Sequence, residues 1–443
     1  MENVIKVSQA GVFYPADKDE LSVMIDAFSP DEDAPYKSNA IIVPHAGYIY
    51  SGELAACGYS YLNPDVETVF IFAPSHYVRL YGSVTTGADF ILTPLGKLPV
   101  NRKLADELNQ DFGVEFSGEA FQREHAFETQ LPFIQKFVPH ASIVPVIYGC
   151  ENFTNISKII EHYDNGANAF VISSDLSHFY PARENIRMDT YTASLIEANE
   201  TVNFDSDNAC GAVGICALMD YAKKKNNSLI RVGLTNSSRV TGDTSSVVGY
   251  GSWFMYDGGK NDFIKKYYSK QVIELCRKTI SAGLHSSSYV PQNYPCVFEE
   301  SGACFVTLTI AGQLRGCIGS VIAHRPLIMD LIKNAHSAAF ADPRFKPLTS
   351  EELYEIDIEV SLLSSPEKMQ FKTEDELMEQ IVPRRDGIII RDGNYQAVFL
   401  PCVWEQLPDK TEFMQALKQK AGLKKSYFSE TFTAFRFSAV ELA

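Results

Sequence analysis

The sequence predicts an α/β protein with a mostly parallel sheet, followed by a second, separate α+β unit. Three observations carry this prediction. Short apolar runs recur along residues 1–256 without polar alternation, which fits strands buried on both faces. Helix-patterned segments lie between those runs. After the polar, glycine-containing break "DGGKND" (257–262) the texture changes, placing one domain at 1–258 and another at 263–443.

In chain order, the strand candidates of the first domain are "AIIVP" (40–44), "TVFIFAP" (68–74), "SIVPVIYG" (142–149), "AFVISS" (169–174) and "SSVVGYGSWFMY" (245–256). Helices are expected at 101–111, 124–137, 189–199 and 208–224. In the second domain "DFIKKYYSKQVIELCRKTISAGL" (262–284) reads as a helix. "CFVTLTIAGQLRGCIG" reads as two strands joined by a turn at Ala311–Gly312. A helix near 326–340, the strand "IDIEVSLLS" (356–364), a hairpin at 387–401 and a helix at 411–421 complete the unit.

At 443 residues the chain exceeds one ordinary core. Its 45% hydrophobic and 21% charged content describe a folded protein. The formal net charge of −16 argues against an extended nucleic-acid footprint, which needs a basic face. The lysines of "KKKNN" (223–227) sit where a helix would end, where the dipole favours them. Nine scattered cysteines without a Cys-x-x-Cys pair fit a reduced cytoplasmic protein. The segment "MENVIKVSQAGVFYPADKDE" lacks a signal-peptide core, and no run of about 18 apolar residues suggests a membrane span.

Chemistry concentrates at strand ends. "IIVP-His45", "FIFAPS-His76" and "VISSDLS-His178" each place a histidine just beyond an apolar strand. In open α/β sheets ligands bind beyond the carboxyl ends of strands, so the three can converge on one cavity. Each alone also reads as a structural or solvated histidine. Imidazole favours iron, copper, zinc or nickel over magnesium or calcium. Asp175 reads as a carboxylate ligand, an imidazole orienter or an N-cap. Cys210 falls in the expected first turn of a helix, where the dipole favours thiolate; a small buried residue is the other reading. Cys216 fits the buried reading. In "REHAFETQLPF" His125 and Glu128 lie one helical turn apart and either share a site or pair on a surface. In the second domain Arg315 and Cys317 of "QLRGCIGS" share one strand face. Asp342 and Arg344 flank a proline turn in "AFADPRFKPLT". These four read as a ligand patch or as a hairpin with an internal ion pair.

Seven stretches in one order give residues 1–256 a family resemblance. They are "GVFYPAD" (11–17), "PHAGYIYSG" (44–52), "APSHY" (73–77), "EHAFETQLPF" (124–133), "SSDLSHF" (173–179), "ACG" (209–211) and "SVVGYGS" (246–252). This part resembles the Memo family, which has the LigB-like α/β sandwich fold of class III extradiol dioxygenases. The resemblance implies an iron or copper site with His45, His76 and Cys210 as ligands, and Asp175 and His178 lining the pocket. Ring-cleaving members of that fold use two histidines and a glutamate, so a cysteine departs from their pattern. Residues 263–443 resemble the AMMECR1 family through "LRGCIG" (314–319), "AFADPRFKPLT" (339–349), "EVSLLSSPE" (359–367), "GIII" (387–390), "LP" (400–401) and "KAGL" (420–423). Such proteins often accompany a radical SAM protein in microbes, which implies a radical SAM partner.

The reading that follows is a metal-dependent redox enzyme acting on a small molecule. His178 would move protons, Asp175 would fix its tautomer, and His125 would stand behind a ligand or face substrate. Two other readings are a non-enzymatic metal-binding scaffold with a vestigial pocket, and a thiol hydrolase with Cys210 as nucleophile and His178 as base.

Overall fold

A computed structural model describes residues 2–443. The chain forms two compact units, one ending at Lys260 and one running from Asn261 to Ala443.

The first unit is built on a mixed sheet of nine strands. Its centre is parallel: Ala40–Val43, Asn168–Ser173, Thr68–Pro74 and Ser142–Tyr148 pair in that order. The first three are buried along their whole length, and only Ser142 of the fourth is partly exposed. That burial on both faces explains why their sequences show no polar alternation. The flanks are antiparallel. Val247–Tyr256 runs antiparallel to Ala40–Val43 and to Ser228–Asn236, and Ser83–Thr85 runs antiparallel to Ser142–Tyr148. The expected "mostly parallel" sheet is therefore parallel at its core and joined to its flanking strands by antiparallel pairs, and the outermost Glu115–Phe116 pairs parallel again with Ser83–Thr85.

Helices Phe153–Tyr163 and Ala212–Lys225 cover one face, packing Ile156, Ile159, Ile160, Ile215 and Met219 against Phe70, Phe72 and Ile172. Helix Tyr48–Ser60 approaches the sheet so closely that a Cβ on Gly58 would lie 2.6 Å from Val43 Cγ1, which keeps that position a glycine. The segment expected as one helix over 124–137 is two, His125–Glu128 and Leu131–Phe137, because Thr129 and Gln130 turn between them. The helix expected at 189–199 begins earlier and spans Ala182–Glu197. Lys223, Lys224 and Lys225 do occupy the last turn of their helix, which Asn226 ends at φ +59°.

The second unit has two four-stranded antiparallel sheets. One contains the hairpin Ala303–Ile310 and Gln313–Gly319, turned by Ala311 and Gly312, both with positive φ as a two-residue turn requires. Helix Leu327–Phe340 covers it, and a Cβ on Gly316 would meet the Ala338 carbonyl oxygen at 2.1 Å. The strand Ile356–Leu363 alternates buried Ile356, Ile358 and Val360 with exposed Asp357 and Glu359. The other sheet pairs Gly387–Asp392 with Tyr395–Phe399 and is backed by helix Lys410–Lys420. Among the described residues the cysteines form no disulfide. Among the described residues no helix is long and apolar enough to cross a membrane.

Candidate metal centre

The carboxyl ends of the central strands deliver the candidate residues. His45 follows Val43 by two residues and is buried, with 2% of its surface exposed. Its ring Nδ1 lies 3.0 Å from Ser173 Oγ at the end of the neighbouring strand. The Ser173 hydroxyl donates its one proton to the Ala126 carbonyl at 2.6 Å and accepts from Gln130 Nε2 at 2.9 Å. It therefore accepts from His45 Nδ1–H, and the lone pair of His45 is at Nε2.

His76 follows Pro74 at the end of the next strand. Its Nδ1 donates to Glu124 Oε1 at 2.9 Å, and its backbone N–H donates to Glu124 Oε2 at 2.6 Å. Its lone pair is likewise at Nε2. Glu124 also caps the short helix by accepting from Ala126 N–H at 3.0 Å, which starts that helix at His125. The His125 ring stacks on Phe13 with centroids 4.6 Å apart, and its buried Nδ1 makes no hydrogen bond.

One ring nitrogen from each of His45, His76 and His125 lies within 4.8 Å of the others. Burial pushes the His45 pKa well below its ordinary value, and the neighbouring charges of His76, His125 and His178 push the same way. Burial, then His76, lowers His125 to about 4. Glu124 pays a burial cost, but the hydrogen bond and charge of His76 outweigh it and hold the carboxylate below its usual range. Lowered pKa values at His45 and His125, Nδ1 hydrogen bonds at His45 and His76, a carboxylate behind His76 and an orphaned buried nitrogen on His125 fit a transition-metal ion.

Cys210 lies beside this cluster but not on a helix. The helix begins at Ala212 with Gly211 as its cap, so Cys210 precedes the first turn. The expected dipole-lowered thiol is replaced by a raised one, at about 12, because burial and then the Asp175 charge oppose thiolate. Its Sγ lies 3.3 Å from His45 Nε2 and accepts from Asp175 N–H at 3.3 Å. Cys216 is buried against the core, as its position suggested.

No helix starts at Asp175, so it is not an N-cap. Its Oδ1 accepts the His45 backbone N–H at 2.8 Å and its Oδ2 lies 4.0 Å from His45 Nε2. The contacts of Asp175 are thus with His45 and Cys210 rather than with His178. Burial raises its pKa to about 7. His178 opens the short edge strand His178–Tyr180, half-buried, and burial lowers its pKa with a further push from His76. The next residue, Phe179, is 76% exposed at φ +66°.

Glu128, one turn from His125, does not join the cluster. It is buried and accepts from Ser8 N–H, Gln9 N–H and Tyr14 Oη, tying down the segment before the first helix. The residues that orient the imidazoles, Glu124, Ser173 and Gln130, carry no sequence signal for that role. Glu124 acts across 48 positions and Ser173 across 128.

A model of the Memo-like protein family matches residues 6–254, more than half of the chain. The chain belongs to the Memo-like family. Among its relatives, the MEMO1 family protein Ta0237 of Thermoplasma acidophilum is 33% identical over 264 residues, covering 56% of this chain and 97% of that protein. A MEMO1 family protein of Methanobrevibacter smithii is 34% identical over 282 residues, covering 56% and 98%. A model of the AMMECR1 family matches residues 273–442, so the chain fuses the two families. The crystal structure of the uncharacterized protein PH0010 from Pyrococcus horikoshii is 31% identical, covering 39% of this chain and 89% of that one, with a TM-score of 0.37.

In the AMMECR1 domain of this Memo-like protein three of the four singled-out residues enter two ion pairs, one of them with Glu352. Arg315 binds Glu352 through Nε and Nη2 at 2.7 and 2.9 Å. Arg344 binds Asp342 at 2.7 Å. Asp342 also accepts the Cys317 backbone N–H at 2.9 Å, and Arg344 donates to the Cys317 carbonyl at 3.1 Å. The internal ion pair is thus present, and Cys317 is held by its backbone while its Sγ accepts from Thr307 Oγ1 at 3.4 Å.

Proposed function

We propose that this Memo-like protein is a metal-dependent redox enzyme acting on a small molecule. The observation that supports it most is the cluster of three imidazole nitrogens within 4.8 Å, two of them with lone pairs set in advance by Ser173 and Glu124. His45, His76 and His125 would hold iron(II) or copper, and Cys210 would add a thiolate once a bound cation displaces its proton. The mixed nitrogen and sulfur donor set suits those metals and disfavours magnesium and calcium. When bound, either metal supplies redox chemistry and open coordination positions.

The chain's own residues supply proton handling. His178, half-buried with its pKa lowered by burial, would take a proton at a ring nitrogen during the reaction and return it. Asp175, raised to about 7, holds or releases a proton beside His45. Two families in one chain support an AMMECR1-assisted reaction alongside a radical SAM partner, as the resemblance implies. A thiol-hydrolase role is disfavoured by the Cys210 thiol, which burial keeps protonated.

The test is metal analysis of anaerobically purified protein with His45→Ala, His125→Ala and Cys210→Ala variants. The expected result is stoichiometric iron or copper in the wild type, lost in His45→Ala and reduced in the other two. Wild-type protein that holds no transition metal after reconstitution would overturn the proposal.

A further inference from the structure

A second feature of the Memo-like domain adjoins Cys210. An open cavity of about 880 Å³ runs from Pro74 and Ser75, beside His76, to Cys210. That volume falls within the roughly 300–1,000 Å³ typical of small-molecule sites.

Its walls divide by chemistry. Phe153, Phe204 and Val213 give it an apolar body. Arg79 lines one side, its guanidinium 5.1 Å over the Tyr81 ring, with no carboxylate partner among the described residues. Ala212 and Val213 also line the cavity, at the start of a 14-residue helix whose glycine cap offers no side-chain acceptor. The positive end of that helix favours an anion in the same space. Two acids are present as well. Glu151 is committed to Ser83 and Asn155, and burial raises its pKa. Asp205 accepts from its own turn at Asp207 N–H.

We propose that this cavity binds a small molecule with an apolar body and one anionic group, a carboxylate or a phosphate, with the anion on Arg79 and the body against Phe153, Phe204 and Val213. Cys210 is the one residue it shares with the proposed metal centre, and its use as that centre's substrate pocket rests on the metal reading. The binding itself does not.

The test titrates the protein, as purified and after chelator treatment, with anilinonaphthalene sulfonate, an apolar fluorophore carrying one anion. Saturable binding is expected in both forms. Arg79→Gln should weaken it about tenfold, the effect of one lost charge-assisted hydrogen bond, and Arg79→Lys should weaken it less. Val213→Trp, which fills the cavity, should abolish it. Decanoate or decyl phosphate should displace the probe, the stronger competitor naming the anion, and decylamine should not. Unchanged affinity in Arg79→Gln, or displacement by decylamine as effective as by decanoate, would overturn the proposal. Should Val213→Trp not fold, the exposed Arg79 variants still decide it. Probe binding by a protein that holds no metal would leave this inference standing while the metal reading failed.

Discussion

Glu124 grips His76 at two points, accepting its ring Nδ1–H at 2.9 Å and its backbone N–H at 2.6 Å. One carboxylate therefore fixes both the position and the tautomer of an imidazole 48 residues away in sequence. Glu124→Gln keeps the size of the side chain but loses the charge and one acceptor. Metal affinity should fall about 10–100-fold, the usual cost of losing such a partner. Competition with a chelator of known affinity measures it, and an unchanged affinity would exclude His76 as a ligand.

Ser173 plays the matching part for His45, with three polar groups meeting on one buried hydroxyl. Ser173→Ala takes a partner from the Ala126 carbonyl, from His45 Nδ1 and from one N–H of the Gln130 amide, whose nitrogen still donates to the Pro44 carbonyl at 3.0 Å. The expected loss is about 1–3 kcal/mol of stability, read by denaturant unfolding of metal-free protein. Because His45 then lacks its tautomer-setting acceptor, the variant should also retain less metal than its loss of stability accounts for.

Much of this arrangement was legible in the sequence, and the rest was hidden for identifiable reasons. The apolar runs ending at His45 and His76 announced themselves because fully buried parallel strands tolerate no polar residue until they emerge at their carboxyl ends. Val247–Tyr256 was legible as a strand but its antiparallel direction was not, and Ser83–Thr85 is too short to stand out. His125 was legible as a histidine on a helix start, but its membership of the cluster is set where Glu124 both caps that helix and holds His76, a contact with no local pattern. Cys210 looked like a first-turn residue because Gly211 can be helical. Its place outside the helix, against Asp175, reverses the direction of its pKa. Long-range hydrogen bonds such as Glu124 to His76 have no local pattern at all.

Asp189 clamps the loop that carries Asp175 and His178. Its Oδ1 accepts Ser177 N–H at 3.1 Å, and its Oδ2 lies 1.7 Å from where a Cβ on Gly249 would sit. Burial raises its pKa from 3.8 to about 6, against the hydrogen bonds from Ser177 and Asn185. The folded state thus binds this proton more tightly than the unfolded chain. Its stabilising contribution is complete below about pH 4 and is lost as the pH rises towards about 6, by at most about 3 kcal/mol. Asp189→Asn should flatten the wild-type decline over that window, measured as the difference between the two unfolding free energies. Parallel pH profiles would show that Asp189 does not titrate there.

In the AMMECR1 domain, Asp342 and Arg344 are paired but unequal. Asp342 is buried and accepts the Cys317 backbone N–H as well as the guanidinium, whereas the Arg344 side chain is about half exposed (53%). Removing the acid leaves an N–H and a cation unpaired, and removing the base leaves an acid that still holds Cys317. Asp342→Ala should cost about 1–3 kcal/mol, and Arg344→Ala less than about 1 kcal/mol, as for an exposed pair. The hydrogen bond from Arg344 holds the Asp342 carboxyl well below its usual range. Its contribution is therefore present above the unfolded-state carboxyl pKa and is lost as the pH falls below it. Hydrogen exchange of the 303–319 hairpin at neutral pH separates the two variants. Faster exchange in Arg344→Ala than in Asp342→Ala would mean that the guanidinium, through its bond to the Cys317 carbonyl, is the main support of that strand.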